Sequence, residues 1–328
     1  MQLDNTRIAV RERGMIDTYD LTLHVLRAFA PRLVPALLLG ILPLALLNEI
    51  LLWGVWEPRE AIDWMNPAEA SLAVVMAPLM QSLQLTRYSW LYLVLVYFEA
   101  PVATIFAESY LGAAVFKQEK TLWESVRDVF SWRHRASPGA KPDVGPFWAF
   151  LLCQLVMRGT LVALAIPLLV WGGEYNWFVE GMLPVLLFLP VAALRAFRPY
   201  INEIIVLEKN PLWSKTAPMT VGKRSSNLHN SAGAELFGQY LGSMLVAFVL
   251  MQVVFWSIWA VYSVMFGDMD LDSWIPQHIL RPIALWSVVA YLGVARFLSY
   301  LDLRIRQEGW EVELLVRAEA ARLTEKLV

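Results

Sequence analysis

The chain contains very little cysteine, histidine or charge. One cysteine among 328 residues, Cys153, excludes an internal disulfide, and with it a small disulfide scaffold. It lies in an apolar run beside Leu151 and Leu152, where a lone thiol behaves as a small buried hydrophobe. The four histidines, His24, His134, His229 and His278, stand far apart and lack the spacing of metal ligands. Charged residues make up 17%, against about 25% in an ordinary soluble domain. A net charge of -2 supplies no basic field for nucleic acid. There is no His-Glu-x-x-His pair, no Gly-x-Ser-x-Gly elbow and no phosphate-cradling glycine loop. Neither catalysis, a metal nor a cofactor is expected from these residues.

What is present is apolar. Hydrophobic residues make up 58% of the chain, with 15 Trp, and this excludes disorder. Mean hydropathy is +0.49. A hydrocarbon core about 30 Å thick needs about 20 apolar residues of helix. Six stretches meet that length: Leu33–Trp53, Tyr88–Ala114, Phe147–Trp171, Phe178–Phe197, a part of Leu236–Phe266, and Pro282–Leu301. The expected fold is therefore all-α: a polytopic membrane protein of about six spans with amphipathic interfacial helices. The expected organisation is an amphipathic N-terminus over 1–32, a spanning domain over 33–301 and a helical tail over 302–328. Arg7, Arg11 and Arg13 lie too far before the first run for a signal peptide, and Asn48 and Glu49 follow it instead of a cleavage site, so an uncleaved first span is expected.

Charge orients the spans. Segments 1–32, 115–146, 198–235 and 302–328 hold 5, 6, 5 and 5 of the 27 Lys and Arg. The opposite loops hold only Arg59, Arg87 and Arg281. The positive-inside rule then places both termini in the cytoplasm of a bacterial inner membrane. Trp53, Trp171 and Trp274 fall near the outer interface of this arrangement, and Trp123, Trp148 and Trp310 near the inner one.

No loop is long enough for a separate domain. Leu72–Pro78 is too short to span and reads as interfacial. Leu122, Val126, Val129 and Phe130 give Lys117–Arg133 an apolar stripe at helical spacing, followed by a flexible Ala136–Pro146 segment. Residues 13–30 repeat the pattern with Met15, Ile16, Tyr19, Leu23 and Leu26 before Pro31, and Glu311–Val328 reads as a further helix. A weak repeat links Pro101-Val102-Ala103 with Pro190-Val191-Ala192, and Glu119-Lys120 with Glu208-Lys209.

Ionisable groups within a span are costly, and each is a functional hypothesis. Glu99 and Arg158 each sit 11 residues into their spans, about 16 Å deep at 1.5 Å per residue. They are expected to pair between neighbouring helices, as a structural ion pair or as part of a transport path that includes Glu108. Arg195 and Arg296 lie near the cytoplasmic ends, where they can snorkel as anchors, with Glu108 and Glu203 on the same side. Past the last span, Asp302, Arg304, Arg306 and Glu308 alternate in sign, with Asp302–Arg306 and Arg304–Glu308 at i,i+4. They are candidates for a cytoplasmic latch joining the tail to the basic loops.

Residues 300–314 read Y-L-D-L-R-I-R-Q-E-G-W-E-V-E-L. This segment resembles the end of the membrane domain that precedes some glycerophosphodiester phosphodiesterases in bacteria, and of related families. Ile16-Asp17 through Arg27, and Glu208 through Arg224-Ser225 and Leu228, are looser matches. In those phosphodiesterases a catalytic domain follows, whereas this sequence stops at Val328. The resemblance therefore implies a membrane module without the enzyme, and no catalytic residue carries over. Some stand-alone relatives resemble products encoded beside MoxR-type ATPases and other small membrane proteins.

Short loops, three amphipathic segments and the missing catalytic motifs point to a non-enzymatic scaffold or accessory subunit. Its expected partners are the lipid bilayer, other membrane proteins or a cytoplasmic ATPase. A small transporter or channel using Glu99 and Arg158 is the alternative, and a lipid-handling module, implied by the phosphodiesterase resemblance, is a third.

Overall fold

The computed structural model describes residues 14–55, 87–115, 120–130, 146–171, 176–212, 219–271 and 273–308. Leu72–Pro78, most of Ala136–Pro146 and the tail from Gly309 lie outside the described residues. Among those described there are helices and no strand. Five helical segments are long and apolar enough to cross a membrane, and a bent pair makes a sixth. The protein is an all-α, multi-pass membrane protein. Its outer surface carries Ile50 at 64% and Val264 at 85% exposure, with many other bare aliphatics. Water would penalise such a surface and acyl chains solvate it.

Helix α1, Met15–Leu52, is one continuous helix containing Pro31, Pro35 and Pro43. The sequence reading separates an interfacial helix from the first span at Pro31, and the structure joins them. Proline removes one N–H and only biases the residue before it away from helix. Tertiary packing overrides that bias: Leu33, Ala36, Leu37, Gly40 and Ile41 are buried at helical spacing against the rest of the bundle. Gly40 permits the closest approach. A Cβ there would lie 2.0 Å from the Ala103 carbonyl oxygen.

Helix α2, Arg87–Ala103, is central and packs against α1 and the last helix. It breaks at Thr104, just after Pro101, and resumes as α3, Ile105–Ala114. The amphipathic segment is α4, Leu122–Val129, started by a capping box in which Thr121 and Glu124 satisfy each other's backbone N–H. That hydrogen bonding holds the Glu124 carboxyl below its usual pKa. Next come α5, Pro146–Leu152, and α6, Thr160–Leu169, the two halves of the bent span. Helix α7, Leu183–Phe197, is followed by the short α8, Ile201–Val206. The repeat has a structural counterpart, since α2 and α7 each contain a proline and each ends at a break before a shorter helix.

Helix α9, Val221–His229, leads into α10, Gly233–Phe266, about 51 Å long at 1.5 Å per residue. Only Leu236, Phe255 and Ser263 of α10 are buried. Helix α11, Arg281–Glu308, crosses from one side of the bundle, the Arg281 side, to the other, the Glu308 side. It runs seven residues past the predicted end of the sixth span at Leu301. Helix α10 packs against α7 and α11 and meets α2 less closely.

Candidate functional site: an arginine-lined cavity within the bundle

The gap between α2 and α10, walled by α7 and α11, is a cavity of about 580 Å³. That volume is within the usual range of ligand pockets, roughly 300–1,000 Å³. Its lining is largely apolar, with Leu93, Phe188 and Met251 among it, and four arginines reach it: Arg158, Arg195 and Arg296, and Arg281, whose guanidinium lies 4.9 Å from the Phe255 ring centroid. Tyr97 on α2 and Tyr240 on α10 span the gap, their hydroxyls 3.1 Å apart.

A backbone break places Arg158. A π-helical turn, Cys153–Met157, ends at Arg158, whose N–H donates to the Cys153 carbonyl at 3.1 Å. Gly159 then takes φ +68°, a left-handed conformation that glycine adopts without strain, and α6 starts anew. The halves meet at 57°. Irregular backbone at membrane depth is tolerated where protein buries it or where it lines a cavity. Here it places Arg158 in the cavity wall, 2% exposed, with one terminal guanidinium nitrogen lacking a hydrogen-bond partner among the described residues.

Arg195 lies in the last turn of α7. Its guanidinium stacks over Tyr97 at 4.0 Å from the ring centroid, and its Nε and one terminal nitrogen have no hydrogen-bond partner among the described residues. Arg296 is satisfied. It donates to Glu203 at 2.6 Å and to Glu108, which also accepts from Thr104 at 2.8 Å. Arg195 and Arg296 are therefore not snorkelling anchors. Their polar ends turn inward because buried carboxylates and an aromatic face receive them.

Glu99 and Arg158 do not pair. Glu99 accepts from Asn48 of α1 at 2.8 Å, while the charged groups that act on Arg158 are Arg195, Arg296 and Glu203. Glu99 and Glu108 lie outside the cavity lining, which includes Arg158. The helical count that puts the two at one depth assumes a straight span, and the span is broken at Gly159. Cys153 is buried beside Met157, as a small hydrophobe.

The four latch residues form a network at the Glu308 side. Glu308 accepts from Arg224 of α9 and, at 2.9 Å, from Arg304. Glu208 accepts from Arg224 at 2.6 and 2.8 Å and from the Tyr300 hydroxyl at 2.7 Å. Arg306 binds Glu235 of α10 through two bonds, at 2.7 and 3.0 Å, and lies 3.1 Å from Asp302. The end of α11 is thereby tied to α9 and α10. Hydrogen bonding to Glu208 raises the pKa of Arg224. The segments around Tyr300 and Glu208–Arg224, distant in sequence, meet here. Beneath them His229 is buried. Its Nδ1 lies 2.7 Å from the Ser225 carbonyl, and its Nε2 accepts from the Tyr200 N–H at 3.4 Å. Both contacts suit the neutral ring, and burial lowers its pKa.

Sequence reasoning missed the partner of Arg87. On the Arg281 side Arg87 donates to Glu180 at 2.6 and 2.8 Å, tying α2 to the turn before α7. An acidic residue at the start of a span is the one available signal. Among the described residues no group of three His, Cys, Asp or Glu is placed to hold a metal. No family model, curated protein or solved structure matches the chain. The site is read from its own chemistry: an apolar chamber with unsatisfied guanidinium donors toward one end.

Proposed function

We propose that the chain is a lipid-handling membrane module that holds an amphiphile in the cavity between α2 and α10. The cavity itself carries this reading: its largely apolar wall fits an acyl chain, and guanidinium donors of Arg158 and Arg195 that lack a partner among the described residues line it. From Arg281 to Arg296 helix α11 rises about 22 Å at 1.5 Å per residue, room for a long acyl chain beside it. The resemblance to the membrane domain that precedes glycerophosphodiester phosphodiesterases supports the same class. The lysine and arginine bias supports a bacterial inner membrane with both termini in the cytoplasm.

The scaffold reading has less support. Asp302, Arg304, Arg306 and Glu308 are engaged with other groups of the same chain. The transport reading loses two of its candidate residues, because Glu99 and Glu108 lie outside the cavity lining. The test is to purify the full chain in mild detergent and identify the lipids that remain by mass spectrometry. The wild type retains about one lipid per chain. Ala247→Trp, which fills the cavity from α10, loses it. Equal retention by both proteins would overturn the proposal.

A further inference from the structure

We infer that Arg158 and Arg195 form the head-group site of this cavity, and that it takes a lipid whose head is a singly charged phosphodiester with no cationic group. The inference rests on the lipid-handling reading above and names its ligand class.

Arg158 is almost fully buried and lines the cavity with a guanidinium nitrogen that no described group accepts from. Arg195 lines it too, with two such nitrogens. An arginine stays charged in a protein, and a buried charge without a counter-charge is costly. The carboxylates nearby do not supply one, since Glu203 and Glu108 are both bound by Arg296, and Asp302, which lines the cavity, is paired with Arg306. An anionic head would give both guanidinium groups an acceptor.

The donors approach from two elements, Arg158 from the broken span and Arg195 from α7. A tetrahedral phosphate presents oxygens in several directions, whereas a carboxylate presents two in one plane. Tyr97 holds the Arg195 fork by stacking. Since Tyr97 and Tyr240 share one hydrogen bond, one of their two hydroxyl protons is left for a further acceptor. A head group bearing an ammonium would add a further positive charge beside two arginines, so choline and ethanolamine lipids are disfavoured. The chain then runs from Arg158 past Leu93 and Met251 toward Phe255, so the lipid comes from the leaflet on the Glu308 side.

The experiment places the full-length protein in vesicles of equal phosphatidylcholine and phosphatidylglycerol, re-extracts it gently and measures bound lipids by native mass spectrometry. Wild-type protein retains phosphatidylglycerol over phosphatidylcholine by at least about tenfold, the scale of one or two charge-assisted hydrogen bonds. R158Q and R195Q each lower that ratio toward one while still retaining lipid. Equal retention of both lipids by the wild type overturns the head-group assignment and leaves the cavity reading intact. Retention of no lipid overturns both. Two further arms test the source of the anion. Displacement of phosphatidylglycerol by inorganic phosphate alone, or preferred retention of added oleate, shows that a free anion or a carboxylate is the ligand and overturns the phosphodiester assignment. The wild-type ratio is decisive even if a variant fails to fold.

Discussion

Arg296 holds two carboxylates inside the bundle, and single substitutions should reveal how much rests on it. Removing one partner of a buried ion pair strands the other, at a cost of about 3–5 kcal/mol. Arg296→Ala should therefore unfold in denaturant well before the wild type, because it strands both Glu203 and Glu108. Glu99→Gln should shift stability by no more than about 1 kcal/mol, because an amide oxygen still accepts from Asn48. A larger loss would mean that Glu99 acts as a charge. His229 gives a pH signature. Its pKa is lowered in the folded protein, so the unfolded state binds more protons. Its stabilisation is complete above about pH 6.5, the unfolded value, and is lost as pH falls below it. Melting temperature should drop between pH 7.5 and 5.5 by less in His229→Gln than in the wild type. Arg158 was legible in the sequence as an ionisable group in an apolar run. The partners of Arg296 were not, because Glu203 and Glu108 lie 93 and 188 residues away.

At the scale of elements, the breaks matter as much as the helices. Gly159→Ala forces a side chain into the left-handed region and should cost about 1–2 kcal/mol. It should also turn Arg158 away and lower lipid retention. A destabilised variant with normal retention would show that the break does not place the arginine. Gly40→Ala meets the backbone of Ala103 and not a flexible side chain, and should cost about 1–3 kcal/mol as overpacking between α1 and α2. The spans themselves were legible because about 20 apolar residues are a length signal that needs no knowledge of packing. The continuity of α1 through Pro31 and the bend at Gly159 were not. Proline and glycine are tolerated within spans, and whether a helix bends there depends on neighbours contributed by distant sequence.

For the whole molecule, the sequence carried the class and the number of spans, while the cavity arises only from assembly. Helix α10 contacts α7 and α11 but meets α2 less closely, and no local pattern encodes that gap. The latch was partly legible, since alternating charges at 302–308 announced ion pairs. Its partners Glu208, Arg224 and Glu235 emerged only when α9 and α10 folded against the end of α11. The proposed sidedness puts α9 in the cytoplasm. A cysteine at the exposed Asn230 should therefore react with an impermeant maleimide in inverted vesicles and not in intact cells, with little background from the buried Cys153. The reverse pattern would invert the orientation. The account as a whole stands on what fills the space between α2 and α10. The most direct measurement is an experimental structure of the full chain extracted with its native lipids. The account predicts elongated density along α11, ending in a compact head between Arg158 and Arg195. A cavity closed by α10 collapsing onto α2, with Arg158 paired to a carboxylate of the protein, would contradict it.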